Sequence, residues 1–333
     1  MDSVTPPPFA VDPLDLRILH ALQLDGRAPF RRIADVLGVS DRTVARRFDR
    51  LRASGLVRIT VVPDSSRTGQ GEWLVRVRVL PDVADAVADA LARRPDTPWV
   101  CVVSSGTEIV CLFRTMDGAP APLTGLTRRQ GIVRVDAQRL LRNLTHHRRT
   151  AGDGTPVALT DLDRRLLPAL AADGRAAYPQ LARAVGWSES AVRRRLEELR
   201  ASGTIRFDVA TDPRLFGYSA QCLLWLSVTP SRLGPVAAAL AGDPGTTFVG
   251  ATTGPHQLLA VMVCRDDIAL YDYVQWRVGL LDGVRSVETA VVTRSTGPFG
   301  LLLGAIPAGR GPGSRADHGP EPEPCRPDAR PTP

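Results

Sequence analysis

The sequence predicts an α+β chain in which winged-type helix-turn-helix domains alternate with ferredoxin-like βαββαβ sandwich domains, the whole arrangement duplicated. Three observations carry this. First, the stretch from about Leu14 to Leu144 is written twice. Shifted by 148 positions, Leu14-Asp15 lands on Leu162-Asp163, Asp25-Gly26-Arg27-Ala28 on Asp173-Gly174-Arg175-Ala176, and Leu51 to Gly55 on Leu199 to Gly203. No gap is needed, and a repeat this long exceeds the ~20–50 residues of a solenoid unit. Second, each copy opens with three short runs of helical apolar spacing. Third, each continues with four strand-like runs and two intervening helical stretches in the order βαββαβ.

The elements follow in order. Residues 1–12 are Pro-rich and read as a flexible N-terminus. Leu14, Ile18, Leu19 and Leu22 give the first helix, stopped at Asp25-Gly26-Arg27. Phe30 to Leu37 is a second helix ended by Gly38. Ser40 is a good N-cap for a third, which runs to about Ala53. A short strand, Leu56 to Val62, closes a helix-turn-helix domain assigned to 13–64. Trp73 to Leu80 sets Trp73, Val75, Val77 and Val79 against Arg76 and Arg78, the alternation of a half-buried strand. Val83 to Ala92 is a helix, Val100 to Ser104 and Ile109 to Phe113 are strands, Met116 to Thr127 is a short or irregular helix, and Ile132 to Leu141 is the last strand. Together they define a sandwich at 71–145, followed by a linker at 146–158.

The second copy repeats the plan, with a helix-turn-helix domain at 159–212 and a sandwich at 217–297. Its closing strand matches at an offset of 152, Gly131-Ile132 on Gly283-Val284. Residues 305–333 are dense in Pro, Gly and charge and read as a disordered tail. The two sandwiches are expected to pair within one chain, as a pseudo-dimer, through the faces carrying Val75, Val77, Val79 and Leu224, Leu226, Val228.

Composition narrows the function classes. The chain has 333 residues, a formal charge of +7 and a pI near 9.8, and all 42 of its basic residues are Arg. That balance suits a polyanionic partner. The five Cys show no CxxC and no ligand spacing, so no metal and no disulfide framework is expected. No basic n-region with an apolar h-region opens the chain, and no apolar run approaches the ~20 residues of a membrane span, so the expectation is a cytoplasmic protein without a membrane partner.

The third helix of each copy carries the chemistry. Ile33, Ala34, Leu37, Val39, Val44, Phe48 and Leu51 fall on one inward side. The opposite side offers Ser40, Asp41, Arg42, Thr43, Arg46, Arg47 and Arg50 in copy one. Copy two offers Ser188, Glu189, Ser190, Ala191, Arg193, Arg194 and Arg195. This is a helix-turn-helix pattern whose second helix would enter the major groove of double-stranded DNA. Arg can hold a guanine edge bidentately, Thr and Ala can meet a thymine methyl, and further arginines can grip phosphates.

These residues resemble the Lrp/AsnC family of bacterial transcription regulators. The matching signatures are Leu14-Asp15 and Leu162-Asp163, Asp25-Gly26-Arg27 and Asp173-Gly174-Arg175, Gly38-Val39-Ser40 and Gly186-Trp187-Ser188, Gly55-Leu56-Val57 and Gly203-Thr204-Ile205, and Leu281-Asp282-Gly283-Val284. The resemblance covers about 14–145 and 162–297. It implies a regulator with one extra copy fused in tandem, sandwiches that dimerise and can assemble into homo-oligomers, and a small-molecule effector such as an amino acid. The effector turn implied is Gly106 and Glu108 in copy one and Gly254, His256 and Gln257 in copy two. Neither copy has the Asp that the family tends to place three residues after the Gly, which weakens the case for an amino-acid effector.

Catalytic constellations are poor: there is no Ser/His/Asp spacing, no phosphate-binding Gly loop and no HExxH. No enzyme activity and no cofactor are expected. Two alternatives stand beside the regulator: a tetrapyrrole decarboxylase of the siroheme type with the same architecture, and an architectural DNA binder of low sequence preference.

Overall fold

A computed structural model describes residues 11–94, 96–116, 123, 125–145, 155 and 157–296. The expected tail 305–333, most of the linker and most of the irregular stretch after Met116 lie outside the described residues. Of that stretch, residues 125–130 form turns rather than helix.

In copy one, α1 (Pro13–Leu24), α2 (Phe30–Leu37) and α3 (Asp41–Ala53) precede β1 (Val57–Pro63). Val11 and Asp12 belong to this unit, against the expectation of a loose end at 12. Asp12 caps α1 by accepting hydrogen bonds from the Leu14 and Asp15 amides, and Val11 packs on the core. In copy two, α6 (Asp161–Ala172), α7 (Tyr178–Val185) and α8 (Glu189–Ala201) precede β6 (Ile205–Thr211). Between the copies lie the copy-one elements α4 (Ser65–Thr68), β2 (Gln70–Val79), α5 (Ala84–Ala92), β3 (Trp99–Val103), β4 (Glu108–Met116) and β5 (Ile132–Asn143). Copy two closes with β7 (Ala220–Val228), α9 (Leu233–Gly242), β8 (Thr246–Thr252), β9 (Leu258–Cys264), α10 (Asp267–Asp272) and β10 (Val284–Thr296). Asp266 caps α10 through the Ala269 amide at 2.8 Å, and a π-helical turn continues it over Tyr273–Val278.

The strand after each helical triple does not fold back on its own module. β1 pairs antiparallel with β6, and Thr60 meets its own counterpart Asp208, so a pseudo-twofold axis passes through that pair. One core then spans both modules, joining Ile18, Leu22 and Phe48 to Leu166, Leu170 and Leu196 through Ile59 and Phe207. Each three-helix unit alone would be too small to bury an adequate core; the shared core removes that limit.

The eight remaining strands close into one sheet in the order β10-β3-β4-β2-β5-β8-β9-β7. Each copy supplies four neighbouring strands, and the joints between copies are β10 with β3 and β5 with β8. The face between the copies holds Leu74, Trp99, Leu112, Leu223, Trp225 and Phe248. The faces expected to pair the sandwiches are used otherwise. Val75, Val77 and Val79 are covered by α5 of their own copy, and Leu224, Leu226 and Val228 by α9 and α10. Both faces of these strands are therefore buried, and a period of two cannot say which is covered by helices.

The copies are also not gapless. Leu80 donates to the Gly131 carbonyl as Thr229 donates to that of Gly283, so β2 and β7 correspond at an offset of 149 rather than 148. Copy two is one residue longer from Gly217 to Thr229 than copy one is from Gly69 to Leu80.

Candidate nucleic-acid interface

The two helix-turn-helix units are built alike. Gly38 and Gly186 end α2 and α7 with φ of 68° and 76°, the left-handed region where glycine carries no Cβ penalty. Ser40 Oγ then accepts the Thr43 amide at 3.1 Å, and Ser188 Oγ the Ala191 amide at 3.3 Å. Each capping bond satisfies an otherwise orphaned donor and fixes where the recognition helix starts.

Asp41, Arg42, Arg46 and Arg50 of α3 are exposed, as are Glu189, Ser190, Arg193 and Arg194 of α8; Thr43 and Ala191 are half-buried. Among the described residues the guanidiniums of Arg42, Arg46 and Arg194 have no hydrogen-bonding partner. Arg46, Arg47 and Arg50 line an open cleft of about 330 Å³. Arg193 is engaged on the surface: it pairs with Glu189 at 3.1 Å and lies 4.4 Å from the Tyr178 ring centre.

Arg47 and Arg195 correct the expectation that they face solvent. Both turn back onto carboxylates at the start of the first helix. Arg47 reaches Asp12 and the fully buried Asp15, the latter at 3.0 Å, with Arg50 also on Asp15 at 2.6 Å. Arg195 lies 2.6 Å from the fully buried Asp163 and also binds Glu198 and the Ala158 carbonyl. Burial would raise the Asp163 pKa, but Arg195 and the Thr160 amide and hydroxyl outweigh it and hold the carboxyl below its ordinary range. The repeated Asp and Arg, 32 positions apart in both copies, were the sequence signal for this pair.

Reciprocal contacts fix the relative placement of the two helices. Arg27 donates to the Gly174 and Ala176 carbonyls at 2.8 and 3.1 Å, and Arg175 to those of Gly26 and Ala28 at 2.8 and 3.0 Å. Arg175 also stacks 4.2 Å from the Phe30 ring centre, and burial pushes its pKa down to about 10. Arg52 pairs with Asp173 and Arg200 with Asp25. The repeated Asp-Gly-Arg, which reads in sequence as a helix stop, is thus also the joint between modules.

The residues expected to meet an effector sit in the other half. Gly106 and Gly254 both have positive φ, in turns before β4 and β9. Glu108 is buried, both its oxygens bound by Arg76 at 2.5 and 3.0 Å. Arg76 also binds both oxygens of Glu288, and His256 Nε2 lies 3.7 Å from Glu288. Glu108 and His256 therefore join one cluster across the copies. Gln257 instead serves its own surroundings, accepting the Val228 amide and donating to the Gly254 and Pro255 carbonyls. Arg76, read as a solvent-side residue, was missed as the centre of this cluster.

Comparisons with known proteins agree with this geometry. A model of the AsnC-type helix-turn-helix domain matches residues 11–52 and 159–200, and a model of the Lrp/AsnC ligand binding domain matches 221–299. An uncharacterised HTH-type transcriptional regulator of Pyrococcus abyssi (strain GE5 / Orsay) is 31% identical over 41% of this chain and 87% of its own length. The HTH-type transcriptional regulator LrpA of Pyrococcus horikoshii is 29% identical over 40% of this chain and 96% of its own. A nearly whole relative thus matches less than half of this chain, as a duplication requires. Both relatives are archaeal, so the likeness is not confined to bacterial proteins. The solved structure of the siroheme decarboxylase NirDL covers 87% of this chain and 94% of its own, with a TM-score of 0.58 at 16% identity. That likeness concerns the fold alone.

Proposed function

This chain belongs to the Lrp/AsnC family, and from that premise we propose that it is a sequence-specific DNA-binding transcriptional regulator in which one polypeptide supplies both reading heads. The observation that carries the reading is the pair of capped helices α3 and α8, related by a pseudo-twofold axis and bearing the guanidiniums of Arg42, Arg46 and Arg194, unpaired among the described residues. Paired helices of this kind enter successive major grooves about one helical turn apart, ~34 Å. The sites proposed are Ser40, Asp41, Arg42, Thr43, Arg46 and Arg50 in the first half-site, and Ser188, Glu189, Ser190, Ala191, Arg193 and Arg194 in the second. Arg47 and Arg195 act behind them, by holding each helix against its module.

A salt titration of duplex binding tests the reading. Each phosphate contact releases counterions, so log affinity should fall against log salt with a slope of about −0.9 per contact. An affinity independent of salt would end it.

The reading extends to a small-molecule effector at the sandwiches, near Gly106 and Gly254. In copy one an effector's ammonium would have to displace Arg76 from Glu108, so the turn at Gly254, His256 and Gln257 is the more open of the two. Among the described residues no helix is long and apolar enough to cross a membrane; a place in the cytoplasm, with the DNA, follows from the regulator reading.

The second reading, a tetrapyrrole decarboxylase, is favoured only by the fold likeness to NirDL. An absorbance shift on adding an iron porphyrin, in a protein that retains no duplex, would support it. An architectural binder would be recognised by selection from random DNA returning no preferred site.

A further inference from the structure

Where two copies of a domain pair about a twofold axis, a residue near the axis meets itself. In this chain it does not. Arg76 on β2 is flanked by Val110 on β4 and Asp136 on β5; Trp225 on β7 is flanked by Leu259 on β9 and Glu288 on β10. The two therefore hold equivalent positions in the two copies, and they face one another: the Arg76 guanidinium lies 4.1 Å from the Trp225 ring centre. We propose that this unlike pair, with the carboxylates around it, makes each sandwich surface complementary to the other copy and not to itself, so that the halves of the chain recognise each other as unlike partners.

The surrounding charges obey the same asymmetry. Arg76 takes both oxygens of Glu108 from its own copy and both of Glu288 from the other. The counterpart of Glu108 is the uncharged Gln257, turned onto its own backbone. The counterpart of Glu288 is Asp136, paired with Arg134 at the surface. Were copy one to pair with itself, two guanidiniums would meet face to face where only one π-face and one extra carboxylate now receive them. Were copy two to pair with itself, two indoles would meet and two Glu288 side chains would lose the Arg76 guanidinium, keeping only the His256 imidazole 3.7 Å away. The half-buried Glu288 is disfavoured without its guanidinium, and two buried guanidiniums repel, while a guanidinium over an indole is attractive. Unlike pairing alone satisfies both groups, and a contact that penalises the wrong partner is how specificity is built.

The test uses the intact chain. Trp225→Arg recreates the self-pair of copy one, Arg76→Trp that of copy two, and the double exchange restores an unlike pair with its roles reversed. Urea unfolding followed by far-ultraviolet circular dichroism should show each single variant losing about tenfold or more in its folding equilibrium constant, and the double variant recovering most of that loss. Losses that simply add would overturn the proposal. Should either exchange fail to fold, the milder cycle of Arg76→Met, Trp225→Leu and both together replaces it: a combined loss well short of the sum supports the proposal, and strict additivity overturns it.

Discussion

The Arg195 guanidinium of α8 grips the fully buried carboxylate of Asp163 in α6 at 2.6 Å, and Arg47 repeats the contact with Asp15 in the first module. A pair that recurs in both helix-turn-helix units while the exposed residues around it diverge belongs to the module, not to a base. The buried acid sets the recognition helix on its support, and the arginine neutralises it.

Arg195→Ala should therefore behave as a stability variant. Removing one partner of a buried pair leaves an uncompensated charge, a loss of about 3–5 kcal/mol. Arg47→Ala should lose less, because Arg50 remains on Asp15. Arg194→Ala, on the exposed side of the same helix, should leave the urea midpoint unchanged and reduce the salt slope of duplex binding by about one contact. Equal effects on stability from Arg194→Ala and Arg195→Ala would contradict this division.

Acid should loosen the same joints. Arg195 holds Asp163 below its ordinary 3.8, and Arg76 holds Glu288 below its ordinary 4.5. A depressed folded-state pKa stabilises above the unfolded value, and that stability disappears as pH falls through the folded value. The urea midpoint should hold from pH 7 to about 5 and drop below pH 4. In Arg195→Met, Asp163 loses its cation and burial then favours the neutral acid, so the deficit against the parent chain should shrink as pH falls from 7 to 3. A deficit constant across that range would show that the pair carries no charge-dependent stability.

Much of the reading head was legible in the sequence because its determinants are local. Gly38 and Gly186 supply the left-handed turn, Ser40 and Ser188 the caps, and a period of 3.6 marks the inward side. What failed depended on distance. Arg47 and Arg195 lie on a helix face between core and solvent, and only a carboxylate 32 residues away draws them inward. Arg76 looked like the polar half of an alternating strand, yet the second copy covers that face. The pairing of β1 with β6 could not be read at all, since neither strand carries a turn that would fix its partner.

The module joint is a second place where one atom matters. Gly174 donates its amide to the Ile59 carbonyl at 2.9 Å, and a Cβ on Gly174 would lie 2.8 Å from that oxygen. Gly174→Ala should push β1 away from the second module at a cost of about 1–3 kcal/mol. Its signature would be a larger loss of affinity for a duplex with two half-sites than for one with a single half-site. Uniform weakening of both duplexes would place the effect in the second module alone.

The operator should be a broken palindrome. A symmetric pair of readers selects identical half-sites, but here the readers differ where bases would be met: Asp41-Arg42-Thr43 stands against Glu189-Ser190-Ala191, and Ala45 against Arg193. Their electrostatics differ too. The Arg42 guanidinium has no partner among the described residues, whereas Arg193 is held by Glu189 and the Tyr178 ring. A bidentate guanidinium–guanine contact is worth about 1–3 kcal/mol of discrimination, so Arg42→Ala should relax preference in one half-site only. Arg193→Ala should relax the other, and by less, because Arg193 must first leave Glu189. Glu189→Gln should then tighten binding at that second half-site, since it frees the guanidinium and removes a negative charge from the DNA face. Selection from random duplexes on the parent and these three variants measures all four expectations together. A perfect palindrome for the parent would refute the asymmetry, and equal weakening of every duplex by both alanine variants would reduce these arginines to phosphate contacts.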